Sequence, residues 1–498
     1  MGTNGYASIT LVDNGGAAIV VPNQNVQFVT GTCSAGTVGQ IIATKSVQTL
    51  NNLLGYGPLV EAAALTCVAG GTVLACKATT LTAGAQTAIT HTGTGTSVVT
   101  VTGNAFDTYF VEVLVMANGT IATGPCPITI SLDATRTFSP IINLGTATTY
   151  VIPGTGLTLN FAAGTLVAGD TYTFSTTEPL WNQAGILAAF NALNASPYAQ
   201  QGFGSVHVVG QGASAGTDAT SIGGYLNNWA TQSAPLYSQA IFSAPDAAVP
   251  TTWGGAGQTE AAWMTAQLTS YLAVAQTRVS TCAAYYNLPS ALISPLGVVT
   301  QFRRSIAYPV AALTTSITPN RSWGRVKKGA IPYILINPVK DPYDGFVYHN
   351  EAINPGLNAG RFVTTTTRSY KQGVYVLQAN NMASTGAQIN SWPLISVASV
   401  AETILIQTGT NLINDDVRLL KSGLMDPRDV ATAQAGMQSA IDANMTNQQM
   451  ISSAQVVVDG TQNLLANNGQ VAVACTLVQR QVVLQVNITL QYANASQA

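Results

Sequence analysis

The chain has 498 residues, of which only 8% are charged, and its formal net charge is −2. A single hydrophobic core stops growing near roughly 250–300 residues, so the length implies several domains. Ordinary soluble proteins carry roughly 25% charged residues; the deficit argues against a free monomer and favours a surface largely covered by copies of itself, because the cores of protein interfaces are poor in charge.

The opening Met1-Gly2-Thr3-Asn4-Gly5-Tyr6 has neither a basic segment nor an apolar run, and no uninterrupted apolar stretch reaches about 18 residues. A soluble chain without a signal peptide or membrane insertion is expected. Ala7 to Val12 alternate before the turn Asp13-Asn14-Gly15-Gly16, which reads as an extended N-terminal arm over residues 1–20. Next come a short strand, Val26 to Val29, and a helix from Ser46 to Leu54 that stops at Gly55.

From Thr79 to about Glu178 the texture changes to Thr-rich alternation. Val111/Val113/Val115, Ile128/Ile130/Leu132, Leu157/Leu159/Phe161 and Tyr172/Phe174 are separated by turn residues such as Asn118-Gly119. Short alternating strands at this spacing predict a β-sandwich or barrel, placed here as an inserted all-β domain over residues 79–178. Helix and strand then alternate again: a helix with Ile186, Phe190 and Leu193 on one face, a strand from Ser205 to Val209, and a long helix from Glu260 to Arg278. With the apolar runs Ala291 to Ile293 and Tyr333 to Ile336, this predicts a helix-covered sheet. Residues 21–78 and 179–350 form the discontinuous α/β core. Residues 351–480 read as an α+β domain, in which Asp426-Pro427 caps a helix carrying Val430, Ala433, Met437 and Ile441. The fold class is thus α/β and α+β, multidomain.

The last segment, 481–498, is a strand in which Val482, Leu484, Val486, Ile488, Leu490 and Tyr492 alternate with mostly polar residues. Alone it reads as an antiparallel strand with one wet face. Together with Ile9 and Leu11 of the N-terminal arm it gives the molecule two extended ends suited to pairing with a neighbour's sheet. Charge is also unevenly placed: residues 301–430 hold 13 Lys or Arg and 8 Asp or Glu, residues 1–300 hold 4 and 10. In a homopolymer the basic region of one copy is expected to meet the acidic region of the next.

Little chemistry is visible. Gly212-Ala213-Ser214-Ala215-Gly216 matches a nucleophile elbow after the strand ending at Val209, and His349 with Asp218, Asp246 or Asp341 satisfies the order Ser, Asp, His. In a chain this rich in small residues the same pattern reads more simply as a tight strand-to-helix turn. His91 reads as a surface residue and His207 as a satisfied core residue; no histidine pair suggests a metal. The six cysteines lack C-x-x-C spacing and read as buried thiols. No Walker A or dinucleotide fingerprint occurs, so no cofactor is expected. The basic turn Arg325, Lys327, Lys328 is too sparse for direct nucleic-acid binding.

Two blocks resemble the contractile bacteriophage tail sheath protein family. The first is Val26 to Val29, Thr30-Gly31-Thr32-Cys33-Ser34-Ala35-Gly36, Leu54-Gly55-Tyr56-Gly57-Pro58-Leu59 and Gly70-Gly71-Thr72-Val73. The second is Leu357-Asn358-Ala359-Gly360-Arg361-Phe362, Arg368-Ser369-Tyr370, Gly373-Val374-Tyr375-Val376 and Asn380-Asn381-Met382-Ala383. The resemblance implies a central domain similar to subtilisin-like folds without being a protease, and a virion subunit, made in the host cytoplasm, that stacks helically around a tail tube protein. Baseplate and tail terminator proteins would be further partners, arms would complete sheets on neighbours, and contraction would consume no nucleotide. A fibre or capsid-decoration protein is the structural alternative, and a serine hydrolase built on Ser214 the enzymatic one.

Overall fold

The computed structural model describes residues 25–198, 204–232, 239–248, 257–292, 294–335, 349–412, 416–466 and 469–480. The chain is a mixed α/β, multidomain protein that divides into two units, Met1–Thr410 and Asn411–Ala498.

The larger unit is built on a six-stranded sheet in the order Val279–Cys282, Ala240–Ser243, Ser205–Val208, Val26–Gly31, Thr72–Lys77, Ile41–Thr44. All neighbours are parallel except the last pair. The five parallel strands are buried along most of their length, as parallel sheets require, while the antiparallel edge strand Ile41–Thr44 is partly exposed. Phe28, Val206 and Val208 pack with Ile186, Phe190 and Ile222 on one side. Val29, Val73 and Ala75 pack with Leu50, Leu59 and Ala312 on the other. The helices Gln183–Asn194 and Ala215–Gln232 therefore cover one face, and Val47–Leu54, Pro58–Val68 and Ala307–Thr314 the other. Ser46 caps the first of these, its Oγ accepting from the Thr49 amide, and Gly55 ends it at φ 71°, a backbone region that glycine tolerates.

Residues 90–175 form a five-stranded sheet, with Phe110–Val115 and Thr171–Ser175 among its strands, and a three-stranded sheet around Leu157–Phe161. The alternating residues Val111, Val113, Val115, Ile128, Ile130, Leu132, Leu157, Leu159, Phe161, Tyr172 and Phe174 all lie in one apolar core.

The structure differs from the sequence expectation in several places. The helix expected from Glu260 to Arg278 ends at Tyr271. There the guanidinium of Arg361 donates to the carbonyls of Leu272 (3.3 Å) and Val274 (2.7 Å), holding the chain out of the helix before the strand Val279–Cys282. Ala291 lies outside the strands, and in the run from Tyr333, which sits in a turn at φ 67°, Leu335 makes an isolated antiparallel bridge to Asn287; Ile293 and Ile336 lie outside the described residues.

In the smaller unit, Asp426 caps the helix Pro427–Ile441, which buries Ala433, Met437 and Ile441. This helix lies along a two-stranded antiparallel sheet, Ile451–Val458 with Val473–Gln479. Among the described residues no helix is long and apolar enough to cross a membrane.

Candidate functional site

In open α/β sheets, ligands bind beyond the carboxyl ends of the strands where the strand order reverses. Here that point lies between Val26–Gly31 and Ser205–Val208, and the chain fills it with its own groups. Trp181, 2% exposed, donates its amide to the Gln211 carbonyl (3.0 Å), while Thr32 Oγ1 donates to the Pro179 carbonyl (3.3 Å). Gln211 Nε2 donates to the carbonyls of Ser243 (3.2 Å) and Ala244 (3.4 Å), at the end of the next strand.

Two arginines from the strand Gln301–Ser305 close the same end. Arg303 makes a bidentate pair with Asp246, at 2.8 and 3.0 Å. Arg304 donates from Nη1 to Asp107 Oδ1 at 2.8 Å, its guanidinium lying 4.4 Å from the Phe302 ring centre. Burial works against the Arg304 cation, but Asp107 overcomes it and holds the group charged. His207, 1% exposed, meets the Tyr308 ring edge-on at 5.4 Å. Its Nε2 has no partner, contrary to the expectation of a satisfied core histidine, and burial pushes its pKa down to about 3.

The nucleophile-elbow pattern is a packed turn. Asp218, on the helix that Ser214 precedes, accepts from the Ser214 amide at 2.9 Å. His349 is held elsewhere: Nδ1 lies 2.8 Å from Glu260 and Nε2 3.4 Å from Glu351, so both ring nitrogens face glutamates. Burial disfavours the imidazolium, but these hydrogen bonds outweigh it and raise the His349 pKa, while Glu351 is lowered. Asp246 serves Arg303, and Asp341 lies outside the described residues. The two glycines have packing reasons of their own: a Cβ on Gly212 would lie 2.5 Å from the Trp181 ring, and one on Gly216 2.0 Å from the Ser270 carbonyl oxygen. Among the described residues no cluster of three or more His, Cys, Asp or Glu is arranged to hold a metal ion. Cys33, Cys67, Cys76, Cys126 and Cys282 are buried free thiols and Cys475 is partly buried. His91 is an exposed residue, stacked on Tyr172.

The smaller unit offers an open edge. On the outer side of Ile451–Val458, glutamine side chains from the helix Pro427–Ile441 take the place of a strand. Gln438 Oε1 accepts from the Val456 amide (2.8 Å), Gln434 Oε1 accepts from the Val458 amide (3.3 Å), and Gln438 Nε2 donates to the Ala454 carbonyl (3.2 Å). Directly opposed residues of an antiparallel pair turn their backbone groups the same way, inward or outward together. Val473, Cys475 and Leu477, opposite Val458, Val456 and Ala454, therefore turn theirs to the other outer edge. No described strand pairs with that edge. Val478 beside it is 51% exposed and Val473 38%. An exposed, partly apolar edge is a template for strand addition.

The expected exchange residues Ile9, Leu11, Val482, Leu484, Val486, Ile488, Leu490 and Tyr492 lie outside the described residues. The receiving edge was missed in the sequence. Of the ten carboxylates in residues 1–300, Asp13 lies outside the described residues, five are buried and four, Glu112, Glu178, Asp246 and Glu260, are partly exposed.

No protein-family model and no curated protein matches the sequence. Among solved structures, the chain is similar to a sheath tail protein of Desulfitobacterium hafniense, with 11% identity and TM-score 0.43 over 95% of this chain and 100% of that one. It is similar to a sheath tail protein of Listeria innocua, with 11% identity and TM-score 0.41 over 91% and 94%. The sheath complex of an extracellular contractile injection system in its contracted state follows, with 13% identity and TM-score 0.37 over 66% and 78%. These three solved structures are two sheath tail proteins and the sheath of a contractile injection system.

Proposed function

We propose that the chain is a structural sheath subunit of a contractile tail or injection particle, whose copies polymerise helically around an inner tube and contract to drive the tube through a bacterial envelope. The observation that carries this reading is the open edge of Val473–Gln479, closed on its other side by Gln434 and Gln438. A strand from another copy supplies what that edge lacks, and the alternating segment Val482 to Tyr492 or the arm around Ile9 and Leu11 has the pattern for it. The filled carboxyl end of the parallel sheet fits a scaffold without a substrate crevice.

In this reading the α/β core of residues 21–78 and 179–350 is a subtilisin-like scaffold without catalysis, and residues 79–178 are a β domain inserted into it. Residues 351–480 are the C-terminal domain, and residues 1–20 and 481–498 the arms. The tube, baseplate and terminator proteins are the partners, in a particle assembled in the host cytoplasm.

Electron microscopy of the purified protein tests the proposal: hollow tubes support it, while fibres or monomers only count against it. Deletion of residues 481–498 should leave a folded, soluble subunit that forms no tubes. Tubes from the truncated chain would disprove arm exchange while leaving helical assembly in place.

A further inference from the structure

Four carboxylates and two guanidiniums gather where the β-rich segment meets the carboxyl end of the parallel sheet. Glu61 comes from the helix Pro58–Val68, Asp107 from the turn before Phe110–Val115, Glu178 from the segment before Leu180–Trp181, and Asp246 from the end of Ala240–Ser243. Arg303 and Arg304 are neighbours on Gln301–Ser305 and pair with Asp246 and Asp107. Among the described residues no guanidinium pairs with Glu61 or Glu178 as these do, although the Arg304 charge acts on both. Glu61, 9% exposed, accepts from the Ser290 hydroxyl at 2.7 Å. Glu178 is partly buried beside Gly210, close enough that a Cβ there would meet its carboxylate at 3.3 Å.

The other titratable groups facing this cluster bring no positive charge. Tyr109, Tyr285 and Tyr308 are phenols that burial pushes well above their ordinary range, with nearby carboxylates adding to the effect. Tyr56 is a further phenol beside Tyr109, and His207, at the edge of Tyr308, is neutral. With every carboxylate ionised, the cluster holds four negative and two positive charges, an excess of two negatives in a desolvated seam.

We propose that Glu61 and Glu178 are a proton-binding pair that clamps this seam. When both are protonated, the pairs Arg303–Asp246 and Arg304–Asp107 balance the cluster; when both are ionised, two uncompensated charges press the β-rich segment away from the sheet. Burial pushes both carboxyls up to about 7, Asp107 adding to the shift at both and Arg304 opposing it. A carboxyl with a raised folded-state pKa stabilises the fold fully below its unfolded value, and that contribution is lost as pH rises through the folded value. The window therefore runs from the ordinary glutamate value of 4.5 to about 7. For the buried Glu61, a shift of this size corresponds to as much as roughly two orders of magnitude in the unfolding constant. A crevice lined by Tyr56, Glu61, Asp107, Tyr109 and Ser290 gives protons a way in. The proposal is independent of the strand-exchange reading.

The test is denaturant unfolding of the full chain between about pH 5 and about pH 8, for wild type, E61Q, E178Q and the double variant, with carboxyl-selective isotope spectroscopy of the wild type and both single variants. The wild type should lose stability across this range, each single variant should flatten the slope in part, and the double variant should keep only the part contributed by other groups, the raised His349 among them. In the spectra, two glutamate carboxyls should titrate near neutrality, one vanishing in each single variant. A double variant with the wild-type slope, or wild-type glutamates that all titrate in the ordinary carboxylate range, would overturn the proposal. Should the double variant fail to fold, the wild-type spectra decide alone.

Discussion

The carboxyl end of the parallel sheet and the outer edge of Val473–Gln479 are both places where a sheet exposes unmet bonding capacity, and the chain treats them in opposite ways. At the first, distant segments converge to plug the crevice: Trp181 and Gln211 satisfy strand-end backbone, and Arg303 and Arg304 neutralise Asp246 and Asp107. At the second, glutamines cap one side of a two-stranded sheet and no described strand covers the other. Substitutions at the first should be felt as lost stability, and substitutions at the second as lost assembly with the fold intact.

The largest effect is expected at the plugged end. Asp107→Asn or Arg304→Ala leaves a buried charge without its partner and should cost about 3–5 kcal/mol in denaturant unfolding. A cost below about 1 kcal/mol would mean that water reaches the pair. Gly216→Val should follow, at about 1–3 kcal/mol, because the added side chain meets the Ser270 carbonyl. Ser214→Ala beside it should change stability by less than about 0.5 kcal/mol. Ester hydrolysis lost with that hydroxyl would restore the hydrolase reading.

His349→Gln should cost about 1–2 kcal/mol near pH 6 by weakening hydrogen bonds to Glu260 and Glu351. The sign of its pH dependence follows from the shifts. The raised His349 contributes fully below the ordinary histidine value and is lost as pH rises through its folded value. The lowered Glu351 contributes above the ordinary glutamate value and is lost as pH falls through its own. The cluster is therefore strongest between those limits, and in the variant, which lacks the titrating imidazole, the loss on the high-pH side of that band should disappear from unfolding measured across pH. The smallest effect on stability, within about 0.5 kcal/mol, is expected for Thr476→Lys with Val478→Lys at the open edge. Under the strand-addition reading this variant should nevertheless form no tubes by electron microscopy; unchanged assembly would remove the open edge from the account.

Features visible in the sequence are those in which neighbouring residues suffice. The alternation from Val111 to Phe174 marks strands with one buried face, and Ser46, Gly55 and Asp426 mark helix ends by local hydrogen bonds or backbone conformation. Elements buried all round escape such reading. The helix Pro58–Val68 has no polar stripe, with all but Val68 buried, and Ala240–Ser243 is a four-residue strand buried throughout. Partnerships between distant segments escape it too. Nothing near residue 271 foretells that Arg361 will take the carbonyls beyond it, and nothing near Glu61 reveals Arg304. The acidic bias of residues 1–300 likewise does not reveal that five of its carboxylates are buried.

The two glutamines on Pro427–Ile441 have a geometric consequence. By closing one side of the small sheet, they leave it able to accept a strand on the other side only. Under the strand-addition reading, the donor arm of one copy meets an acceptor edge of different residues on the next, so two copies alone are satisfied only by exchanging arms reciprocally. Where the exchange is one-way, each join leaves a free donor at one end and a free acceptor at the other, and growth would have a direction until a ring closes or a different molecule caps it.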